Sequence, residues 1–141
     1  MTNKEYLRQA YRLDKRINSD IEELARLREM AVSISAPSLG EKIQTSYQGE
    51  APFVRCVEKI LILEEKINRE IEVMVGLKGQ MRDVIAAVAD MDERLVLRYR
   101  YIHNMTWEQI GNEMIADRTT VYRWHNRALR HVVLPENPVR I

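Results

Sequence analysis

Apolar residues recur every three or four positions over two long stretches in the first two thirds of the chain. The first stretch, from Asn3 to about Ser35, alternates them with charged residues and contains no Pro or Gly. The second, from Phe53 to about Ala89, keeps a repeat close to 3.5 residues, which is typical of coiled coils. Two Pro and two Gly fall in residues 36–52 and predict a loop. The pattern therefore predicts an antiparallel helical hairpin with helices over about 3–35 and 53–89.

Each predicted long helix carries one apolar stripe. In the first helix the stripe comprises Tyr6, Ala10, Leu13, Ile17, Ile21, Leu24, Leu27, Ala31 and Ile34. In the second helix it comprises Val57, Ile60/Leu61, Ile67, Ile71, Met74, Leu77/Lys78, Met81, Val84/Ile85 and Val88, and Glu64 interrupts it at one position. Two helices alone leave one flank of such stripes poorly covered. We expect self-association through residues 1–91, most simply as a homodimer, although the C-terminal domain or a partner protein could cover the flank instead. A hairpin that serves only as a spacer is the plainer alternative.

The last third of the chain predicts two short helices joined by a tight turn. Thr106 is a good N-cap, and Gln109 follows three residues later, which makes a capping box. Asp117 is a second N-cap. Ile115 and Ala116 lie between the helices and predict an apolar plug for the corner. The core-facing positions recur about one turn apart and are Trp107, Ile110, Met114, Val121, His125, Ala128 and Val132. This spacing predicts a helix-turn-helix.

A third helix is expected to pack behind this pair. Leu95, Val96, Tyr99 and Ile102 form its stripe, within a segment that runs from Glu93 to His103. Asn104 can adopt a left-handed conformation and end this helix. We therefore place the helix-turn-helix domain at residues 92–134.

The second helix of the pair is strongly basic. From Arg118 to His131 there are four arginines and no acidic residue, although the whole chain has a net charge of only +1. Arginine keeps its charge at physiological pH and offers a planar donor fork that suits phosphate. One basic helix in a near-neutral chain favours a local surface for double-stranded DNA over a general polycation. An ordinary amphipathic helix with a solvated arginine face is the alternative.

These residues resemble region four of sigma-70-type bacterial sigma factors and the related two-component regulator domains. The matching pieces are Thr106-Trp107-Glu108-Gln109-Ile110-Gly111, Asp117-Arg118-Thr119-Thr120-Val121-Tyr122-Arg123 and Arg127-Ala128-Leu129. The chain departs from that pattern at Ile115, where Gly is usual, and at His125, where Leu is usual. With its long helical front end, it is also similar to small phage and prophage proteins of Gram-positive bacteria that are grouped as transcriptional regulators.

The geometry of helix-turn-helix proteins assigns roles to the exposed polar residues. The first turns of the second helix meet base edges in the major groove, and the candidates there are Arg118, Thr119, Tyr122 and Arg123. Phosphate contacts are expected further along that helix and at the start of the first one, where free N–H groups suit an anion. The candidates for this role are Thr106, Trp107, Arg127 and Arg130.

Several function classes lack their signatures. His103, His125, His131 and Cys56 show no metal-ligand spacing, and we expect no metal and no cofactor. There is no Gly-rich phosphate loop and no nucleophile elbow, so we expect a protein that is not an enzyme and has no small-molecule substrate. No run of apolar residues is long enough for a membrane span, and the first residues lack a signal core, which predicts a cytoplasmic protein.

The prediction is an all-α protein with an N-terminal hairpin over residues 1–91, a helix-turn-helix over 92–134 and a loose tail over 135–141. The expected function is that of a DNA-binding transcription regulator of phage or prophage type, whose hairpin self-associates or docks to a partner such as RNA polymerase. The alternative is a phage assembly or DNA-packaging component, such as a small packaging-motor subunit, or a protein-interaction adaptor.

Overall fold

The structure, a computed structural model, describes residues 1–35 and 43–141. Those residues form the helices α1 (Asn3–Ser35), α2 (Ile43–Ala86), α3 (Met91–Leu97), α4 (Trp107–Met114) and α5 (Arg118–His131), with a π-helical turn Arg98–Ile102 after α3. No strand lies in these two ranges, and the predicted all-α fold is confirmed. Within the same ranges, no helix combines the length and the apolar character that a bilayer crossing requires.

The chain divides into two compact units. One contains Met1–Asp14 together with Val73–Ile141, and the other contains Lys15–Glu72. The predicted boundary at residue 91 differs from this division, because the open end of the hairpin belongs to the same unit as the helix-turn-helix. Sequence periodicity assigned the whole of α1 and α2 to one domain, since a continuous helix gives no local signal of where its packing partners change.

In the unit Lys15–Glu72, α1 and α2 run antiparallel. Leu24 packs with Leu63 and Ile67 in a buried cluster, which Leu27 and Ile60 extend. Contacting residues therefore have increasing numbers along α1 and decreasing numbers along α2, as the predicted antiparallel hairpin requires.

The buried positions of α1 and α2 recur about every three or four residues. In α1 they include Tyr6, Ala10, Leu13, Ile17, Asp20 and Leu24, and in α2 they include Cys56, Leu63, Ile67, Met74, Leu77, Met81 and Val84. The predicted stripes were wrong at Ile21, Leu61 and Ile71, which are 45%, 58% and 42% exposed, and they missed Leu63. The prediction followed the apolar residues. The repeat of buried positions in α1 instead includes the polar residue Asp20.

Asp20 faces Glu70 across the hairpin. The side chain of Asp20 is buried, and the ammonium of Lys66 lies 3.3 Å from its carboxylate. Burial raises the pKa of Glu70, and the neighbouring Asp20 carboxylate acts in the same direction. The interaction with Glu70, followed by that with Lys66, lowers the pKa of Asp20. Two carboxyl groups at one level of an apolar interface favour a state in which only one is ionised.

The start of α2 differs from the prediction. Residues 43–52 are helical and not loop, and the helix runs through Pro52; the remainder of the predicted loop, 36–42, lies outside the described residues. A proline removes one backbone hydrogen bond from a helix. Helix propagation is cooperative, so the long packed run that follows Pro52 extends backwards through it.

The predicted loose tail is also wrong. Gln80 accepts hydrogen bonds from the hydroxyl of Tyr6 at 2.8 Å and from the backbone N–H of Val139 at 2.9 Å. Gln9 donates to the carbonyl of Val139 at 2.8 Å and accepts from the N–H of Ile141 at 2.9 Å. Two glutamine side chains thus fix the last residues against α1 and α2. Prolines after α5 correctly indicated the end of the helix, but they carry no information about these distant partners.

We predict that Glu70→Gln stabilises the hairpin at neutral pH and flattens its pH dependence. Because the folded state raises the pKa of Glu70 above its ordinary value of 4.5, the stability that this group contributes is lost as the pH rises through the raised pKa. Asp20, whose pKa is lowered, is already ionised over that range and adds no slope.

Thermal melts between about pH 5 and pH 8 measure this effect, because the variant lacks the Glu70 carboxyl that ionises in the wild type. The melting temperature of the wild type should fall with rising pH relative to that of Glu70→Gln. Glu72→Gln, at an exposed position two residues away, is the control and should follow the wild type. Parallel curves for wild type and Glu70→Gln would contradict the assignment.

Candidate nucleic-acid interface

The caps of α4 and α5 form as the sequence predicts. The backbone N–H of Gln109 donates to the Thr106 hydroxyl at 3.2 Å, and the Gln109 side chain accepts from the N–H of Thr106 at 2.9 Å. At the start of α5, Asp117 accepts from the N–H of Thr120 at 2.7 Å, and this hydrogen bond lowers the pKa of Asp117. Both helix starts are therefore fixed by local side chains.

The corner between α4 and α5 is tight. Ile115 adopts the left-handed conformation with φ 51°, and the N–H of Ala116 donates to the carbonyl of Gly111 at 3.0 Å. A Cβ on Gly111 would lie only 2.8 Å from the carbonyl oxygen of Ala116, so glycine is required there by close approach. The predicted apolar plug is wrong for Ile115, whose side chain is 94% exposed. The side chain of Ile115 points into solvent, and Ala116 packs against the core.

A small apolar core holds α3, α4 and α5 together. Val96, Ile110 and Val121 are fully buried, one from each helix. Trp124 packs against this cluster and is half-buried. The prediction of a support helix is confirmed in α3 and its π-helical turn, and Asn104 ends this segment with φ 55°.

His125 is the buried polar centre of the domain. Its Nε2 lies 2.6 Å from the hydroxyl of Tyr101. Its ring meets that of Trp107 edge-on at a centroid distance of 4.6 Å. Burial lowers the pKa of His125 to about 4, so the ring is neutral at physiological pH. The position usually held by Leu in the resembled pattern is thus a core position here as well.

A second polar contact ties the end of α5 to α3. Glu93 is buried, and its carboxylate lies 2.7 Å from Nδ1 of His131. The guanidinium of Arg127 lies 3.9 Å from the same carboxylate. These contacts orient the last turns of α5 on α3. Arg127, a predicted phosphate contact, therefore has the Glu93 carboxylate on one side.

The face of α5 opposite the core is exposed and free of acidic residues. The predicted base-contacting residues Arg118, Thr119, Tyr122 and Arg123 are all exposed. Tyr122 is 48% exposed and meets the Trp107 ring edge-on at 5.5 Å. Helical spacing centres Thr119, Arg123, Asn126 and Arg130 on this face. The structure thus gathers the predicted residues on one surface, with Arg118 and Tyr122 toward one edge of it.

Of the predicted phosphate contacts, Thr106, Trp107 and Arg127 lie at the borders of that surface, and Arg130 lies on it near the end of α5. Thr106 and Arg130 are exposed, and Trp107 is half-buried. Thr106 and Trp107 lie at the first turn of α4, where Trp107 and Glu108 keep backbone N–H groups that the capping box does not use. Arg127 lies at the border nearest Glu93.

Four residues of this region were not predicted from the sequence. Asn126 is exposed between Tyr122 and Arg130 on the outward face, and its spacing of three residues from Arg123 was the signal available. Lys4, Arg8 and Arg100 line a cleft beside the start of α4. Nothing local in the sequence indicates that Lys4 and Arg8 meet a segment about a hundred positions later.

The fold and this surface define a class: an all-α protein in which a helical hairpin precedes a helix-turn-helix with a basic second helix. The chain belongs to the family described as Protein of unknown function (DUF1492), which matches residues 54–133 and so more than half of its length. Among the curated proteins and the solved structures, none matches the chain.

We predict that acid destabilises the helix-turn-helix through His125. The unfolded imidazole takes up a proton near the ordinary value of 6.5, whereas the folded pKa is about 4. The stability contributed by the neutral ring is complete above the unfolded value and is lost as the pH falls between the two, by at most about 3 kcal/mol.

The paired substitution His125→Leu with Tyr101→Phe should remove this pH dependence without leaving the Tyr101 hydroxyl unpaired. Unfolding followed by tryptophan fluorescence between about pH 7 and pH 4 measures it. The control is His103→Gln, at an exposed position, which should retain the wild-type profile. A paired variant that is as sensitive to acid as the wild type would exclude His125 as the cause.

Proposed function

We propose that the protein is a DNA-binding transcription regulator of phage or prophage type, with a sigma region-four-like helix-turn-helix that reads the major groove through α5. It acts by binding and not by catalysis. The observation that carries the proposal is the outward face of α5, where Thr119, Arg123, Asn126 and Arg130 stand together with no carboxylate among them.

The chemistry of that face suits base edges. Arg123 can bond O6 and N7 of guanine with two donors, and Asn126 can pair with N6 and N7 of adenine. Thr119 can contact the methyl group of thymine. Arg118 and Tyr122, at one edge of the face, extend the same surface. Within the described ranges neither Arg118, Arg123 nor Arg130 forms a salt bridge, so their donors remain available to a ligand.

The helix that carries these residues is held rigidly, which favours specific recognition. Asp117 caps its start, Val121 and Ala128 are buried beneath it, and His131 pairs with Glu93 at its end. A rigid helix loses little conformational freedom on binding, and its side chains keep a fixed register on the duplex.

Phosphate contacts are proposed at the start of α4 and toward the end of α5. The first turn of α4, at Thr106 and Trp107, offers backbone N–H groups to one strand. Arg127 and Arg130, further along α5, offer guanidinium groups. Such contacts position the protein and carry little sequence information.

The hairpin is proposed to join two copies of the chain. On α2, Val54 and Leu61 are one heptad apart and are 46% and 58% exposed. An apolar heptad position left uncovered is the seam of a further coiled coil. A two-fold pair would present two α5 helices to paired half-sites. Docking of this surface to a partner such as RNA polymerase is the alternative use.

The first prediction from this proposal concerns duplex binding. The four arginines of α5 bring the positive charge of about four phosphates to the duplex, which contributes roughly −3.6 to the log–log salt slope. Arg123→Ala should cost about 1–3 kcal/mol on the preferred site and relax the preference at one base pair, whereas Arg127→Ala should weaken all sequences about equally. Selection from a randomised duplex pool, followed by binding at several salt concentrations, measures both.

The matched control is Arg26→Ala, an exposed arginine of α1 in the other compact unit. It removes the same charge from a surface that should not touch DNA, and its selected site and salt slope should equal those of the wild type. A wild-type protein with a flat salt response, or an Arg123→Ala variant with an unchanged base preference, would contradict the assignment of α5 as the helix that reads DNA.

The second prediction concerns assembly. Leu61→Glu should shift the protein from dimer to monomer in light scattering, because a charge at an exposed seam position opposes association without disturbing the hairpin core. Lys59→Glu, two residues away and exposed, is the control and should remain dimeric. A wild-type monomer at tens of micromolar would remove the dimer, and a ring of many copies would favour the packaging alternative instead.

A further inference from the structure

A cleft opens beside the start of α4, within the unit formed by Met1–Asp14 and Val73–Ile141. Its volume is about 510 Å³, and it is lined by cations and by aromatic rings. The cations are Lys4, Arg8 and Arg100. Neither the cleft nor its first two cations belong to the reading face of α5 described above.

The first turn of α1 is fixed in place by the end of α5. The side-chain amide of Asn3 donates to the carbonyls of Leu129 and Val132, at 2.8 Å each. Because α5 ends there, these carbonyls have no partner within the helix. Lys4 follows Asn3 directly, and Arg8 lies one turn further along α1. Both are exposed, and their backbone positions are set by contacts with the DNA-reading helix itself.

The positive charge of the cleft is not neutralised from within. In the part of the chain that the structure describes, Lys4, Arg8 and Arg100 form no salt bridge. Arg100 donates to the carbonyl of Met105 at 2.9 Å, and its guanidinium stacks over the Trp107 ring at 4.2 Å. The charges of Lys4 and Arg100 add to burial in lowering the pKa of His125 behind the cleft. An anion would therefore meet uncompensated cations there.

The cleft is continuous with the proposed DNA surface. Thr106 and Trp107, at the first turn of α4, line it, as does Tyr122 of α5. A strand whose phosphate contacts the start of α4 would run into the cleft at its next phosphates. Aromatic rings suit the deoxyribose between those phosphates, since sugars present apolar C–H groups.

We propose that this cleft is a second phosphate-binding site for the duplex, in which Lys4 and Arg8 of α1 contact the backbone that flanks the base pairs read by α5. The proposal rests on the proposed DNA binding and extends it to a helix outside the helix-turn-helix. It makes the first turns of α1 part of the DNA surface, through charge and position and not through base reading.

The test is the double variant Lys4→Gln with Arg8→Gln in the full chain. Loss of two phosphate contacts should reduce the salt slope by about 1.8 and leave the selected base sequence unchanged. The control is Arg26→Gln with Lys59→Gln, which removes the same charge from exposed positions in the other unit and should keep the wild-type slope. Circular dichroism checks that all variants are equally helical.

Duplexes with a single neutral methylphosphonate provide the second readout. At one or two positions outside the footprint of α5, the neutral group should weaken the wild type and the control but not the Lys4→Gln, Arg8→Gln variant. Equal slopes for this variant and the wild type, or equal losses at every position, would overturn the proposal. If the wild type binds no duplex, the proposed function fails and the cleft assignment fails with it. If it binds duplex and only the variant comparison is flat, the cleft assignment alone fails.

Discussion

The relation between α4 and α5 depends on one close approach, that of the Gly111 backbone to the carbonyl oxygen of Ala116. Any side chain at Gly111 would place its Cβ 2.8 Å from that oxygen, closer than packed atoms approach, and would drive the corner apart. Ile115 accepts the left-handed conformation, at roughly 1–2 kcal/mol for a residue with a Cβ. The chain thus stores strain at the residue after α4 to keep the glycine contact. What α5 presents to solvent follows from this geometry.

Around the corner, polar side chains bring together segments that are far apart in sequence. The Glu93 carboxylate of α3 contacts His131, and the Tyr101 hydroxyl of the π-helical turn contacts His125. The Asn3 amide of α1 donates to the last carbonyls of α5. Each contact gives a partner to a polar group that would be costly to leave unpaired. The helix-turn-helix is therefore not an independent module in this chain, because its second helix is completed by residues from the first turn of the protein.

The features that sequence predicted correctly are those set within a few residues. The capping box of Thr106, the cap at Asp117 and the left-handed Asn104 each depend on local chemistry. The exposed basic face of α5 followed from periodicity and residue type. The clasp of the tail by Gln9 and Gln80, and the placement of Lys4 and Arg8, depend on contacts between distant positions, which no local pattern encodes. Ile115 was misplaced because apolar character was given more weight than backbone conformation.

In the hairpin, the predicted helical repeat was correct, but one of its buried layers was assigned to the wrong residue. Reading only apolar residues replaced Asp20 by Ile21, although the alternation of three and four residues continues through Asp20 and Glu70. That polar layer has a consequence for how α1 and α2 find each other. A slip of one heptad would set Asp20 against Leu63, or Glu70 against Leu27, and each carboxyl would then be buried against leucine with no partner. We infer that the two acids make every shifted alignment of the hairpin less favourable than the native one, so that a pair which weakens the core selects its register.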